Sequence, residues 1–173
     1  MNKELRLDGI YPLSAISDEQ LSEFDCGKLS LNTWFEQKSR SNEASGGSRT
    51  YVLLTLDGKV AGFYCISNYC LAHEGARAAI RRNMPDPIPA VLLGRLAIST
   101  KFQGLGLGRA LLRHAIENAL KVAEITGAAL FITEPIDEDA YAFYLHSGFS
   151  PIGKDLPFLA IKLHQLQNMS HRS

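Results

Sequence analysis

The sequence predicts an α/β (α+β) protein, and three observations carry that prediction. Residues 90–98 form a long apolar run, as expected of a buried central strand. That run leads into a glycine-rich turn, Gln103-Gly104-Leu105-Gly106-Leu107-Gly108, and a helical pattern follows at once. Upstream, two strand-like runs flank Asp57-Gly58, a strong hairpin signal.

The remaining elements follow in order. Residues 5–10 read as a first strand. Ser17 or Asp18 caps a short helix ending near Phe24. Phe24-Asp25-Cys26-Gly27 breaks that helix, and residues 30–35 open a second, with Leu31, Trp34 and Phe35 at helical spacing. Residues 42–48, small and polar, read as a loop. Residues 49–56 alternate as a strand, and residues 60–68 are its hairpin partner. A short helix is expected over residues 74–80. Pro85, Pro87 and Pro89 fix φ and remove donors, so residues 83–89 are not regular helix. Leu107, Leu111, Ala115, Ala119 and Val122 predict a helix over residues 106–125, closed by Gly127. A buried strand over 128–133, a helix over 137–146 ended by Gly148, and closing strands over 149–152 and 158–163 complete the pattern. Residues 164–173 are expected to fray. With no repeat and no long linker, one domain over residues 1–173 is expected.

Composition sets the outer limits. Apolar residues make up 46% and charged residues 21%, the balance of a soluble globular chain. Eighteen basic residues offset eighteen acidic ones, so any polyanion site must come from local charge asymmetry. Cys26, Cys65 and Cys70 form an odd, sparse set without metal-ligand spacing and read as buried apolar thiols in a reducing compartment. The five histidines show no metal-ligand spacing either, so no metal is expected. The start of the chain lacks a signal-peptide core, and no apolar run approaches the roughly 20 residues of a membrane span. The expectation is a cytoplasmic protein that does not engage a membrane.

The glycine-rich turn is the most informative chemistry. Gly104, Gly106 and Gly108 strip Cβ atoms from it, so backbone N–H groups can close on a ligand. The helix that begins there adds unpaired N–H donors and the positive end of its dipole. Together these make a phosphate site. A Walker A frame from Gly104 puts Arg109 where the second glycine belongs, and a Rossmann frame fails at the same residue. A different diphosphate-bearing cofactor is implied.

Gln103-x-x-Gly106-x-Gly108 after an apolar strand resembles motif A of the GNAT acyl-coenzyme A N-acyltransferases. Residues 140–149, AYAFYLHSGF, resemble that family's A-x-x-F-Y-x-x-x-G-F segment. Three further segments are similar to one GNAT branch: Phe24-Asp25-Cys26-Gly27, the strand Gly62-Phe63-Tyr64-Cys65-Ile66-Ser67, and Gly94-Arg95-Leu96-Ala97-Ile98. That branch includes toxins of type II toxin–antitoxin pairs, which acetylate the α-amine of aminoacyl-tRNA and block translation. The resemblance implies a central mixed, mostly antiparallel sheet of six to seven strands, flanked by helices and splayed at the acyl-CoA site. It further implies acetyl-CoA as cosubstrate, a ribbon-helix-helix antitoxin as partner, and a homodimer. The alternatives are an acetyltransferase of protein or small-molecule amines, or a non-catalytic binding module.

Residue roles follow the same resemblance. Gln103, Gly104, Leu105, Gly106, Leu107 and Gly108 would form the pyrophosphate loop, mainly through backbone N–H groups. Arg109 either adds charge near the phosphates or is a solvated helix arginine. Leu96, Ala97 and Ile98 would take the pantetheine arm along the strand, with a backbone N–H near Ile98 polarising the thioester carbonyl. Tyr144 is the candidate general acid, because a phenol of pKa near 10 stays protonated beside a departing thiolate. Glu134 is a candidate base or an exposed loop-end carboxylate. A strong base is dispensable for an α-amine, which titrates near 8, so about a tenth is neutral at pH 7. For an aminoacyl-tRNA acceptor, phosphate contacts are sought in Arg77, Arg81 and Arg82, with Lys38, Arg40 and Arg49 as further cations. Arg95 interrupts an apolar strand, so it needs a partner or must face the active-site cleft.

Overall fold

The computed structural model describes residues 5–170. Its strands are β1 (Leu7–Pro12), β2 (Arg49–Thr55), β3 (Val60–Leu71), β4 (Ile88–Ile98), β5 (Leu130–Thr133), β6 (Ser150–Pro151) and β7 (Leu159–Lys162). The helices are α1 (Asp18–Glu23), α2 (Leu29–Gln37), α3 (Ser39–Ser45), α4 (Ala78–Arg81), α5 (Leu107–Thr126), α6 (Glu138–His146) and α7 (Leu163–Ser170). The seven strands lie in the order β1-β2-β3-β4-β5-β7-β6. The sheet is mixed and mostly antiparallel: β4 and β5 run parallel, while β1–β2, β2–β3, β5–β7 and β6–β7 are antiparallel.

The chain divides into two compact units, residues 1–67 with 95–114, and residues 68–94 with 115–173. In the first, α1 starts at a capping box. Ser17 accepts from the Gln20 backbone N–H, and the Gln20 side chain accepts from the Ser17 N–H. The hairpin β2–β3 turns at Asp57-Gly58, with Gly58 at φ +79°. Its core gathers Phe24, Leu31, Trp34, Phe35, Val52 and Phe63 among others. Phe35 and Phe63 are fully buried and stacked at 4.2 Å between ring centroids. In the second unit, β5 pairs with β4 over Ala90–Leu93 and with β7 over Leu159–Lys162. The core there is aliphatic, built on Ile80, Ile88, Leu130, Ile132 and Ile152.

Four expectations are corrected. Residues 42–48 are not all loop: α3 runs through Ser45 and closes at Gly46 in the left-handed region, φ +77°. The short helix expected over 74–80 is Ala78–Arg81, because the Ala76 N–H bonds back to the His73 carbonyl and the Arg77 N–H to the Ile152 carbonyl. The stretch expected to fray is helical to Ser170, with residues 171–173 outside the described part. Strand β3 also runs three residues past its expected end, to Leu71.

Candidate active site

The glycine turn in the first unit has the geometry of an anion cradle. After β4, a single 3-10 turn (Thr100–Phe102) leads to Gln103. Gly104 and Gly106 take φ of +77° and +80°, which a side-chain-bearing residue rarely adopts. A Cβ on either would meet nothing within 4 Å, so the backbone faces open space. The Gly106 carbonyl accepts from Ala110, which opens the 20-residue α5. The first N–H groups of such a helix have no partners within it. Gly104, Leu105, Gly106 and Arg109 are exposed, whereas Leu107 is buried and anchors the helix start. The loop therefore offers donors and a helix dipole to a diphosphate, with no Cβ at Gly104 or Gly106 in the way.

Strand β4 leads directly into that cradle. Its last pair with β5 is Leu93 with Thr133, and residues 94–98 run on past it. Ala97 is buried, while Leu96 and Ile98 are half-buried. Gly62 of β3 permits a close approach, because a Cβ there would lie 2.7 Å from the Ala97 carbonyl oxygen.

In the second unit, Asp137 caps α6 by accepting from the Ala140 N–H. Tyr144 is the buried residue of this helix, 5% exposed, with its ring edge-on to Phe143 and Phe149. Helix α6 closes as the Phe149 N–H bonds to the Tyr144 carbonyl, with Gly148 at φ +98°. Glu134 is exposed immediately after β5. Arg77, Arg81 and Arg82 are exposed around α4, and the Arg77 guanidinium donates to the Ser150 hydroxyl at 3.3 Å. Beside α6 lies a cavity of about 600 Å³, bordered by Pro135, Asp137, Tyr141, Lys154 and Phe158.

The profile of the Acetyltransferase (GNAT) family matches residues 13–149. The chain belongs to the GNAT acetyltransferase family. It is 40% identical over 135 residues to a tRNA-acetylating toxin of Mycobacterium tuberculosis (strain ATCC 25618 / H37Rv), covering 78% of this chain and 81% of that protein. Among solved structures it is similar to AtaT complexed with acetyl-methionyl-tRNAfMet, at 27% identity and a TM-score of 0.85, covering 95% of this chain and 99% of AtaT. It is also similar to a tyrosine-to-phenylalanine mutant of the AtaT toxin bound to the C-terminus of the antitoxin AtaR and acetyl-CoA. There the identity is 28%, the TM-score 0.77, and the coverage 95% and 98%.

Several side chains of this GNAT chain have partners that its sequence did not disclose. The Arg95 guanidinium sits 4.2 Å from the centroid of the Trp34 ring, so a cation–π contact takes up its charge. Burial pushes the Cys65 thiol up to about 11, and the nearby Arg95 charge and hydrogen bond oppose this only in part. Burial also raises Cys26. Cys70, expected to be buried, is exposed on β3. Arg40 ties α3 to the start of the chain, bonding Asp18 at 2.8 Å and the Leu13 and Ile16 carbonyls. Arg49 donates to the Glu43 carbonyl at 2.8 Å. Neither therefore reads as a simple surface cation. His114 bonds the fully buried Tyr64 hydroxyl through Nδ1 at 2.7 Å, a pairing 50 residues apart that no spacing rule marks. Among the described residues no cluster of His, Cys, Asp or Glu could hold a metal ion, and no helix is long and apolar enough to cross a membrane.

Proposed function

We propose that this chain transfers acetyl from acetyl-CoA to the α-amine of aminoacyl-tRNA, as one domain over residues 1–173. The 40% identity with the tRNA-acetylating toxin, over most of both chains, is the observation that carries this reading. The open glycine cradle supports acetyl-CoA, since its exposed backbone donors suit the coenzyme's diphosphate. In this reading the amides of Gly104 to Arg109 hold the diphosphate, and Leu96, Ala97 and Ile98 align the pantetheine arm by backbone pairing beyond the end of β5. The Ile98 N–H polarises the thioester carbonyl. The neutral α-amine attacks that carbonyl carbon and the C–N bond forms. The C–S bond breaks, Tyr144 gives its phenolic proton to the departing sulfur, and the proton shed by the acylated nitrogen passes to water, which restores the Tyr144 phenol. The α-amine needs no strong base, so Glu134 has no required proton-transfer role. Arg77, Arg81 and Arg82 meet tRNA phosphates.

The test is transfer of labelled acetyl from acetyl-CoA to charged tRNA, run beside uncharged tRNA and Tyr144→Phe. Label on charged tRNA alone, with the rate falling about 10²- to 10⁴-fold in the variant, supports both the substrate and the acid. Label on protein or small amines instead would move the assignment to that class. The same proposal includes a ribbon-helix-helix antitoxin and a homodimer. Co-purification with the product of the neighbouring reading frame, and sedimentation of the isolated chain, test the two.

A further inference from the structure

We propose that the turn at Asp25-Cys26-Gly27 is a strut for the diphosphate loop, with Gln103 and Asn32 as positioning residues for acetyl-CoA. This rests on the acetyl-CoA reading above. The Gln103 side chain immediately precedes Gly104, yet its Nε2 donates to two protein carbonyls, Cys26 at 3.1 Å and Ile98 at 2.9 Å. Its donors are spent on the protein rather than offered to a phosphate. One side-chain amide thus joins the end of β4, the start of the cradle, and a turn 77 residues earlier in the chain.

The Cys26 end is held firmly in turn. Asn32 of α2 accepts from the Cys26 N–H at 2.9 Å and donates to the Asp25 carboxylate at 2.8 Å. That carboxylate also accepts from the Gly27 N–H at 2.8 Å. These bonds, with Gly27 the larger and Asn32 the smaller, hold the Asp25 carboxyl below the usual aspartate range. The Asp25 carbonyl accepts from the Thr100 N–H at 2.9 Å, and Gly27 at φ +83° leaves room for the Thr100 methyl 3.3 Å from its Cβ position. Both faces of the turn are therefore bonded, one to α2 and one to the segment entering the cradle.

The physical need for a strut is clear. Gly104 and Gly106 give the loop its open backbone, but glycine also loses the most freedom on ordering. Helix α5 fixes the far end of the loop, and the Gln103 bonds fix the near end. Pre-ordering the loop lowers the entropy lost when a ligand binds.

The experiment uses the full chain with Gln103→Met, Asn32→Ala, Asp25→Ala, and the Gln103→Met/Asn32→Ala pair. Coenzyme A binding is measured by calorimetry, and acetyl-CoA KM and kcat are measured on charged tRNA. Gln103→Met and Asn32→Ala each remove two hydrogen bonds and should each weaken coenzyme A binding and raise KM about tenfold, within the net worth of such bonds. With acetyl-CoA saturating, kcat should stay within about twofold of the parent, because no reacting atom is touched. The double variant should lose less than the sum of the two single losses, because the Gln103–Cys26 bond that Asn32 supports is already gone in Gln103→Met. Parent-like binding in Gln103→Met, additive losses in the pair, or a fall in kcat at unchanged KM would overturn the proposal. Asp25→Ala, at an exposed residue, carries the same test should Asn32→Ala not fold. A parent chain that binds no coenzyme A would instead overturn the acetyl-CoA reading.

Discussion

Gly62 sits where β3 and β4 approach each other tightly, and Gly62→Ala tests that approach. The added methyl would lie 2.7 Å from the Ala97 carbonyl oxygen, 2.7 Å from Ile98 Cδ1 and 2.9 Å from Leu111 Cδ1. Comfortable contacts fall near 3.5–4.0 Å. The Ile98 and Leu111 side chains can turn away, but the Ala97 oxygen is backbone, so β4 itself must shift. Overpacking of this kind costs about 1–3 kcal/mol. For a chain of this size each kcal/mol moves Tm by roughly 2–4 °C, so a fall of about 2–12 °C is expected in thermal unfolding. Ala97 and Ile98 are also proposed to align pantetheine, so coenzyme A binding should weaken in the same variant. Gly9→Ala is the control. Its Cβ would meet only the Tyr11 ring, at 3.4 Å or more, and its stability should stay within about 0.5 kcal/mol of the parent. A Gly62→Ala protein melting within about 1 °C of the parent would refute the close approach.

Three further outcomes are expected. Brief iodoacetamide treatment of the folded chain should label Cys70 well ahead of Cys65 and Cys26, as mass spectrometry would show, because burial shields those two and raises their thiols. Asp25, whose carboxyl is lowered in the fold, adds stability above the ordinary aspartate range and loses it as pH falls through its folded value. Asp25→Asn should therefore melt below the parent at neutral pH and converge with it in acid; a gap that widens toward low pH would contradict this. Replacing Arg77, Arg81 and Arg82 together by Ala should weaken charged-tRNA binding and flatten its salt dependence. The slope should fall by up to about 0.7–0.9 for each phosphate these arginines neutralise. An unchanged slope would remove this face from the acceptor site.

Local chemistry alone determined a good deal of this protein. Asp57-Gly58 turns the hairpin and Gly127 ends the long helix. The prolines keep residues 83–89 out of regular helix, with Ile88 and Pro89 beginning β4, and Gly104 and Gly106 open the cradle. Each of these depends on backbone freedom within a few residues, which a sequence displays directly. The family was legible for the same reason, since Gln103-x-x-Gly106-x-Gly108 and the segment around Tyr144 are contiguous. Tertiary structure decided what depends on partners far along the chain. Helix α3 was missed because NEASGGS lacks apolar spacing, yet Ser39 is buried against the Phe35 carbonyl and Arg40 bonds carbonyls 24 and 27 residues away. Arg95 read as a residue in search of a partner, and only the fold supplied the Trp34 ring. Gln103 read as part of a phosphate loop, whereas its side chain reaches back to Cys26. A long polar side chain can reach many partners, and the one it takes is set by which backbone groups the folded core leaves exposed beside it.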